Sequence, residues 1–236
     1  MKLLLRVLTA IILVTVAFWL FDGDTVSYRY RMTIEADTPD GVRAASGVLH
    51  IDSSERKWGF HEMRGVTHHV SGDAVFLDLG RGQNLIALLT HGERGEYVDG
   101  IGYMALRAFQ RARPNVQWNT MGAMTGRVTL DGDLVPTLIT FADLKDPKTA
   151  RVVTLDGFEA AFGAGYRFRS ASIEMVPVGW WPLNLIGITG TPITRGIETR
   201  LVWWNNPGRP TAIAWRAWLA GETRGPSIEP EKLFRR

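Results

Sequence analysis

Apolar and polar residues alternate along much of this chain, as they do in β-strands that have one buried face. Over residues 26–35 every second residue is apolar and the others are polar or charged. Successive side chains of a strand point to opposite faces of the sheet, so this period predicts a strand. Residues 37–41 are typical of a turn, and residues 42–51 are predicted to return as its partner strand. The apolar positions change parity across Gly47, which predicts a β-bulge there.

The same reasoning places further elements along the chain. Strands are predicted at residues 74–79, 85–89, 134–141, 166–176 and 197–204. Short helices are predicted at 101–110, at 156–163 with Asp156 as the N-cap and Gly163 as the stop, and at 210–220. Strands with one apolar face must bury it against another layer. We therefore expect a mainly β (or α+β) fold, an antiparallel β-sandwich or partly open β-barrel with short helices.

The first 21 residues do not alternate. Lys2 and Arg6 precede an apolar run that ends at Phe21. Leu3 to Phe21 is long enough, at roughly 28 Å of helix, to cross a bilayer if Arg6 extends to the surface. Positive charge is retained on the cytoplasmic side, so the following residues are predicted to lie outside, in the bacterial periplasm. We expect a single-pass protein of the inner membrane.

A cleaved signal peptide is the alternative interpretation of this segment, with small residues Thr15 and Ala17 before the cut. Cleavage there would leave an exposed aromatic end, whereas Phe18, Trp19 and Phe21 suit an interfacial belt of an uncleaved anchor. The predicted organisation is an anchor at 1–21, a β-rich periplasmic domain at 22–221 and a polar, extended tail at 222–236. The short connection to the first strand places the domain close to the membrane.

Charge and cysteine content exclude some classes of function. The chain has 27 Lys and Arg against 24 Asp and Glu, and Lys2 and Arg6 belong to the anchor. The external domain is therefore nearly neutral and offers no basic field for nucleic acid. The chain has no cysteine, which excludes disulfides, thiolate metal sites and a cysteine nucleophile.

The histidines give no metal or cofactor motif. His68 and His69 are adjacent, so on a strand they would point to opposite faces and could not easily hold one ion. Residues 99–105 imitate a dinucleotide-binding turn but lack the buried strand before it and the acid after it. We predict no metal and no cofactor.

Catalytic candidates are few. The chain has no nucleophile elbow of the G-x-S-x-G type. A dispersed triad is recognised by geometry, so His68 or His69 acting with Asp78 is kept as the hypothesis of an unrecognised hydrolase.

Tryptophans are concentrated in the last third of the chain. Adjacent tryptophans on a strand face opposite ways, which favours a membrane or partner interface for one member of each pair. The predicted interface comprises Phe18, Trp19, Phe21, Trp180, Trp181, Trp203, Trp204, Trp215 and Trp218.

Segments 29–35, 191–198 and 229–234 resemble uncharacterised proteobacterial proteins that have one N-terminal anchor. The resemblance implies an inner-membrane setting and no particular activity. We expect a membrane-anchored interaction or accessory module that is not an enzyme and binds a membrane-protein partner or lipid. The alternatives are a lipocalin-like binder of an apolar ligand or lipid, and the hydrolase above.

Overall fold

The computed structural model describes residues 25–55, 65–93, 95, 97, 100–180, 182–184, 188–205 and 231–236. The mainly β part of the predicted fold is confirmed, because this part of the chain forms antiparallel sheets consistent with a β-sandwich. The predicted anchor from Leu3 to Phe21 lies outside the described residues and stays a prediction. Within the described ranges, no helix has both the length and the apolar character needed to span a bilayer.

The strands and helices are numbered in chain order over the described residues. Strands β1 to β9 are Thr25–Thr38, Gly41–Glu55, Val66–Ser71, Val75–Gly80, Gln83–His91, Arg127–Leu130, Pro136–Phe141, Ala150–Val152 and Arg167–Val176. The α-helices α1 to α3 are Ile101–Ala112, Phe158–Phe162 and Glu231–Phe234. Short 3-10 helices cover Trp118–Ala123, Gly132–Leu134, Pro147–Thr149, Ile197–Thr199 and Val202–Asn205.

The strands form two antiparallel sheets, as expected for a sandwich. The first has the order β3-β2-β1-β9-β6 and the second the order β4-β5-β7-β8. Strand β1 is the centre of the first sheet, pairing with β2 from Thr25 to Thr38 and with β9 from Arg29 to Asp37. Every second residue of β1 from Tyr28 to Ala36 is buried, which confirms the alternating pattern of the sequence.

One apolar core fills the space between the sheets and helix α1. Its large members include Tyr28, Tyr30 and Phe109, each no more than 2% exposed. The hydroxyls of Tyr28 and Tyr30 donate to the carbonyls of Gly102 and Ile101, over 3.3 and 3.4 Å. These bonds join the start of α1 to the inner face of β1, so the buried phenols keep hydrogen-bonding partners.

Three local predictions are corrected. There is no bulge at Gly47, since the β1–β2 register runs unbroken through the Met32–Gly47 pair. The parity change arises because Val42 lies exposed beyond the core, whereas Leu49 is buried. Residues 197–204 form two 3-10 helices instead of a strand. Helix α2 ends before Gly163 as predicted, but its N-cap is Gly157 and makes no side-chain cap bond.

The end of the chain is helical and packed, where an extended tail was expected. Helix α3 buries Leu233 and Phe234. Residues 234–236 then pair with residues 72–74, through Ala74 N–H to the Phe234 carbonyl at 2.7 Å and mutual bonds between Gly72 and Arg236. The predicted helix at 210–220 lies outside the described residues.

Candidate functional site

The predicted histidines line an open pocket at the start of β1. The pocket has a volume of about 400 Å³. Its lining consists of Thr25, Ser27, Asp52, Ser53, Ser54, Thr67, His68 and His69. As expected, His68 and His69 point to opposite faces of β3: His68 pairs with Ser53 on the inner side, and His69 lies opposite Asp52 on the outer side.

Ser53 and His68 form a hydrogen-bonded pair inside the domain. The Ser53 Oγ lies 2.7 Å from His68 Nδ1. The Ser53 side chain is only 1% exposed, and His68 Nε2 has no partner among the described residues. Burial lowers the pKa of His68. The pair resembles two members of a catalytic triad, but no described carboxylate orients the imidazole, and Ser53 is almost fully buried.

Asp52 serves different partners on the outer face of the sheet. Ser27 Oγ donates to Asp52 Oδ1 at 2.5 Å, and His50 Nε2 lies 3.0 Å from the same oxygen. Arg29 Nε lies 3.4 Å from His50 Nδ1. The Asp52 carboxylate thus lies between Ser27 and His50, so His50 is not placed to take the proton of the Ser27 hydroxyl. Burial lowers the pKa of His50, against the opposing influence of Asp52.

Asp78 is separate from these groups. It lies on β4, in the second sheet, and accepts a 2.8 Å bond from the N–H of Gly80. That bond stabilises the β4–β5 turn. No described hydrogen bond joins Asp78 to His68 or His69. The described contacts therefore do not assemble the catalytic group that the hydrolase hypothesis needs.

Replacing Ser53 with alanine is expected to lower the stability of the domain without removing any catalytic activity. The variant removes the partner of Nδ1 on the half-buried His68, which lowers the free energy of unfolding by about 1–2 kcal/mol. Urea denaturation measures this loss. A fluorophosphonate probe is expected to leave the unaltered protein unlabelled. Labelling that disappears in S53A would instead identify Ser53 as a nucleophile and contradict this interpretation.

A second cavity, of about 460 Å³, lies at one end of the second sheet. Apolar Val135, Leu138 and Val153 line it together with the carboxylates of Glu93, Asp133 and Asp156. Asp133 is paired with Arg111. Beside it, the buried His91 stacks on Tyr97 with centroids 4.8 Å apart, and its Nδ1 lies 2.6 Å from the carbonyl of Asp133. Burial lowers the pKa of His91. This histidine holds the end of the sheet together.

No group of three or more histidine and acidic residues able to hold a metal occurs within the described ranges. The outer-face pair of His50 and Asp52 provides only two such groups, and Arg29 lies 3.4 Å from His50 Nδ1 while Ser27 donates to Asp52 Oδ1.

Among the described residues, the most exposed aromatic side chain lies in a loop after β9. Trp180 is 80% exposed, Ile188 68% and Leu183 39%. Backbone bonds hold the described part of residues 177–191 together, from Asn184 N–H to the Trp180 carbonyl and from Thr191 N–H to the Pro177 carbonyl. We call residues 177–191 the Trp180 loop. Its described exposed apolar side chains, Trp180, Leu183 and Ile188, form a group of the kind found at interaction surfaces.

The Trp180 loop lies at the same end of the first sheet as Thr25, where the chain leaves the predicted anchor. Val176, the last residue of β9, pairs with Arg29 of β1. The Arg29 guanidinium donates to the Thr191 carbonyl at 2.7 Å, so both ends of the loop are fixed beside Arg29. Arg29 is four residues from Thr25, or roughly 13 Å along a strand.

The other predicted interface residues divide into two groups. Trp203 and Trp204 are 3% and 8% exposed and pack edge-on against Phe234. Neighbours on a 3-10 helix need not face opposite ways, so both rings enter the core. Trp181, Trp215, Trp218 and the aromatic residues of the anchor lie outside the described residues. Sequence composition indicated Trp180, but it did not indicate Leu183 or Ile188.

Comparison with protein-family models, curated proteins and solved structures gives no match.

Proposed function

We propose that the chain is a membrane-anchored interaction or accessory module of the bacterial periplasm, without catalytic activity, whose β domain rests on the membrane through the Trp180 loop. One observation carries this proposal: a loop with exposed Trp180, Leu183 and Ile188 lies beside the strand end that follows the predicted anchor. Tryptophan suits the boundary between lipid and water, because its ring is apolar and its N–H is polar.

The short connection supports contact with the bilayer. Only residues 22–24 separate Phe21 from Thr25, the first residue of β1. Four peptide units span at most about 14 Å. With the anchor in the membrane, the Arg29 end of the sheet stays near the lipid surface, and the Trp180 loop can reach it without a change of fold.

The polar groups support the non-enzymatic part of the proposal. Ser53 is buried, Asp52 is occupied by Ser27 and His50, and Asp78 belongs to a turn. The lipocalin-like alternative gains little support, because buried side chains fill the space between the two sheets. An apolar ligand would have to bind outside that core.

The native mass of the protein in its own membrane tests the accessory role. After extraction in mild detergent, we expect a complex substantially larger than one 26.3 kDa chain with its micelle. The companions would be identified by cross-linking and mass spectrometry. A monomer with no companion protein would contradict the accessory role and favour the ligand-binding alternative.

A further inference from the structure

The pocket at the start of β1 is lined by side chains that form hydrogen bonds. Each of its eight described lining residues carries a hydroxyl, an imidazole or a carboxylate. Its volume of about 400 Å³ lies at the lower end of the range of small-molecule sites. The pocket therefore suits a small polar ligand.

Strand pairing arranges six of these side chains in two rows on the outer face of the first sheet. In one row, Ser27 lies opposite Asp52, and Asp52 lies opposite His69. The neighbouring row consists of Thr25, Ser54 and Thr67. Because adjacent strands are about 4.8 Å apart, the three groups of a row lie within about 10 Å of one another. A single small ligand can therefore contact groups from more than one strand.

The Asp52 carboxylate is held in place and keeps one oxygen for a ligand. Its Oδ1 accepts from Ser27 Oγ at 2.5 Å and lies 3.0 Å from His50 Nε2. No described hydrogen bond involves Oδ2, and the Asp52 side chain is 50% exposed. A ligand hydroxyl can donate to Oδ2 without first ordering the carboxylate, which reduces the entropy cost of binding.

His69 and the hydroxyls supply the complementary groups. His69 is exposed, and no described hydrogen bond involves its ring. A neutral imidazole has one donor and one acceptor nitrogen, a carboxylate only accepts, and a hydroxyl does both. The hydroxyl of a sugar also donates one bond and accepts others, so it matches this mixture of groups. An anion would instead be repelled by the Asp52 carboxylate.

We infer that this pocket binds a neutral polyol, presented either as a free saccharide or as the headgroup of a glycolipid. The lipid source is within reach, because Thr25 lies only a few residues after the predicted anchor. Water competes for each of these hydrogen bonds, so the expected dissociation constant is about 1 mM. The site goes beyond the proposed membrane contact and would remain if the Trp180 loop did not touch lipid.

The double variant D52N/H69A tests this site. It replaces the carboxylate by an amide of the same shape and removes an exposed imidazole, so the core should stay intact. The matched control is D37N/T33A, which changes a carboxylate and a hydroxyl on the same outer face of β1 but outside the pocket.

Two measurements distinguish the sources of the polyol. In the first, the full chain in a detergent that carries no sugar is titrated with glucose and N-acetylglucosamine, and binding is followed by saturation-transfer NMR. In the second, the chain is delipidated and exchanged into lipid, and retention of glucosyl diacylglycerol is compared with retention of phosphatidylcholine.

Binding that D52N/H69A weakens at least about tenfold, and D37N/T33A leaves unchanged, supports the site. Saturable binding of the soluble sugars identifies a free saccharide as the source. Preferential glycolipid retention without soluble binding identifies a lipid headgroup. The proposal is overturned if neither measurement shows binding, or if the two double variants bind equally. If the urea transition of D52N/H69A shifts, His69→Ala alone repeats the test, because it removes no described hydrogen bond.

Discussion

Replacing Trp180 and Ile188 with aspartate is expected to release the β domain from the membrane surface while leaving it folded. Both side chains are largely exposed in the structure, so the domain gains no stability from them. Burying an aromatic ring and an isoleucine in lipid contributes about 4–6 kcal/mol, from roughly 25 cal/mol per Å² of apolar area. The double variant loses this contribution and adds two charges, so the docked population should fall by more than about a hundredfold.

Amide hydrogen exchange of the full chain in liposomes measures this effect. In the unaltered protein, we expect amides of the Trp180 loop to exchange at least about tenfold more slowly in liposomes than in detergent, because docking excludes water. The double variant should show no such slowing. Val42→Asp is the matched control, since Val42 is 54% exposed at the opposite end of the β1–β2 hairpin. Equal exchange in W180D/I188D and the unaltered chain would contradict membrane contact by the loop.

Replacing Asp73 with alanine is expected to lower the free energy of unfolding by about 3 kcal/mol, because it removes a buried carboxylate that joins three segments. Asp73 follows β3, binds Arg235 at the end of the chain and accepts from the Ile197 N–H. The exposure of Arg195 and Arg235 lets water screen their unpaired charges, which keeps the loss below that of a fully buried pair. Denaturation by urea measures the change.

The contribution of Asp73 is also expected to depend on pH. Burial alone would raise the pKa of Asp73, but the bonds from Arg235 and Ile197 and the charge of Arg235 outweigh it and lower the pKa. Stability from this carboxylate is therefore fully present above the pKa of an unfolded aspartate, about 3.9, and is lost as the pH falls through the lower folded value. The difference between the unaltered chain and D73A should shrink only below about pH 4.

Asp78→Ala provides the matched control for this prediction. Asp78 is an exposed carboxylate on the next strand, and it bonds the N–H of Gly80. Its removal should cost no more than about 1 kcal/mol. Equal losses of stability in D73A and D78A would contradict the conclusion that the buried Asp73 carboxylate holds the end of the chain in place.

Much of the fold was predictable because most of its longer strands have a recognisable apolar pattern. Alternate residues or continuous apolar runs are buried in β1, β2, β4, β5, β7 and β9. Strand β3 gave no such pattern, since Thr67, His68 and His69 are polar on both faces. Strands β6 and β8 are four and three residues long, too short for a period to appear. Residues 197–204 contain buried Ile197, Leu201 and Trp204, whose spacing is helical and therefore disagrees with the strand predicted there.

The candidate sites were less predictable because they depend on pairing between distant segments. Ser53 and His68 meet only through the register of β2 against β3. The ion pair of Asp73 with Arg235 requires the last residues of the chain to pair with residues 72–74. Neither pairing has a local signature in sequence. Trp180 was identifiable by residue type alone, whereas its exposure follows from the way the Trp180 loop is held beside β1.

The depth of the Trp180 loop in the bilayer tests the central claim most directly. The chain has no cysteine, so Leu183→Cys and Val42→Cys each create a single labelling position. With a fluorescent label in the full chain reconstituted into liposomes, quenching by nitroxide lipids reports contact with the membrane. We predict strong quenching at position 183 and none at position 42. Equal, negligible quenching at both positions would contradict the proposal that this loop holds the domain on the membrane.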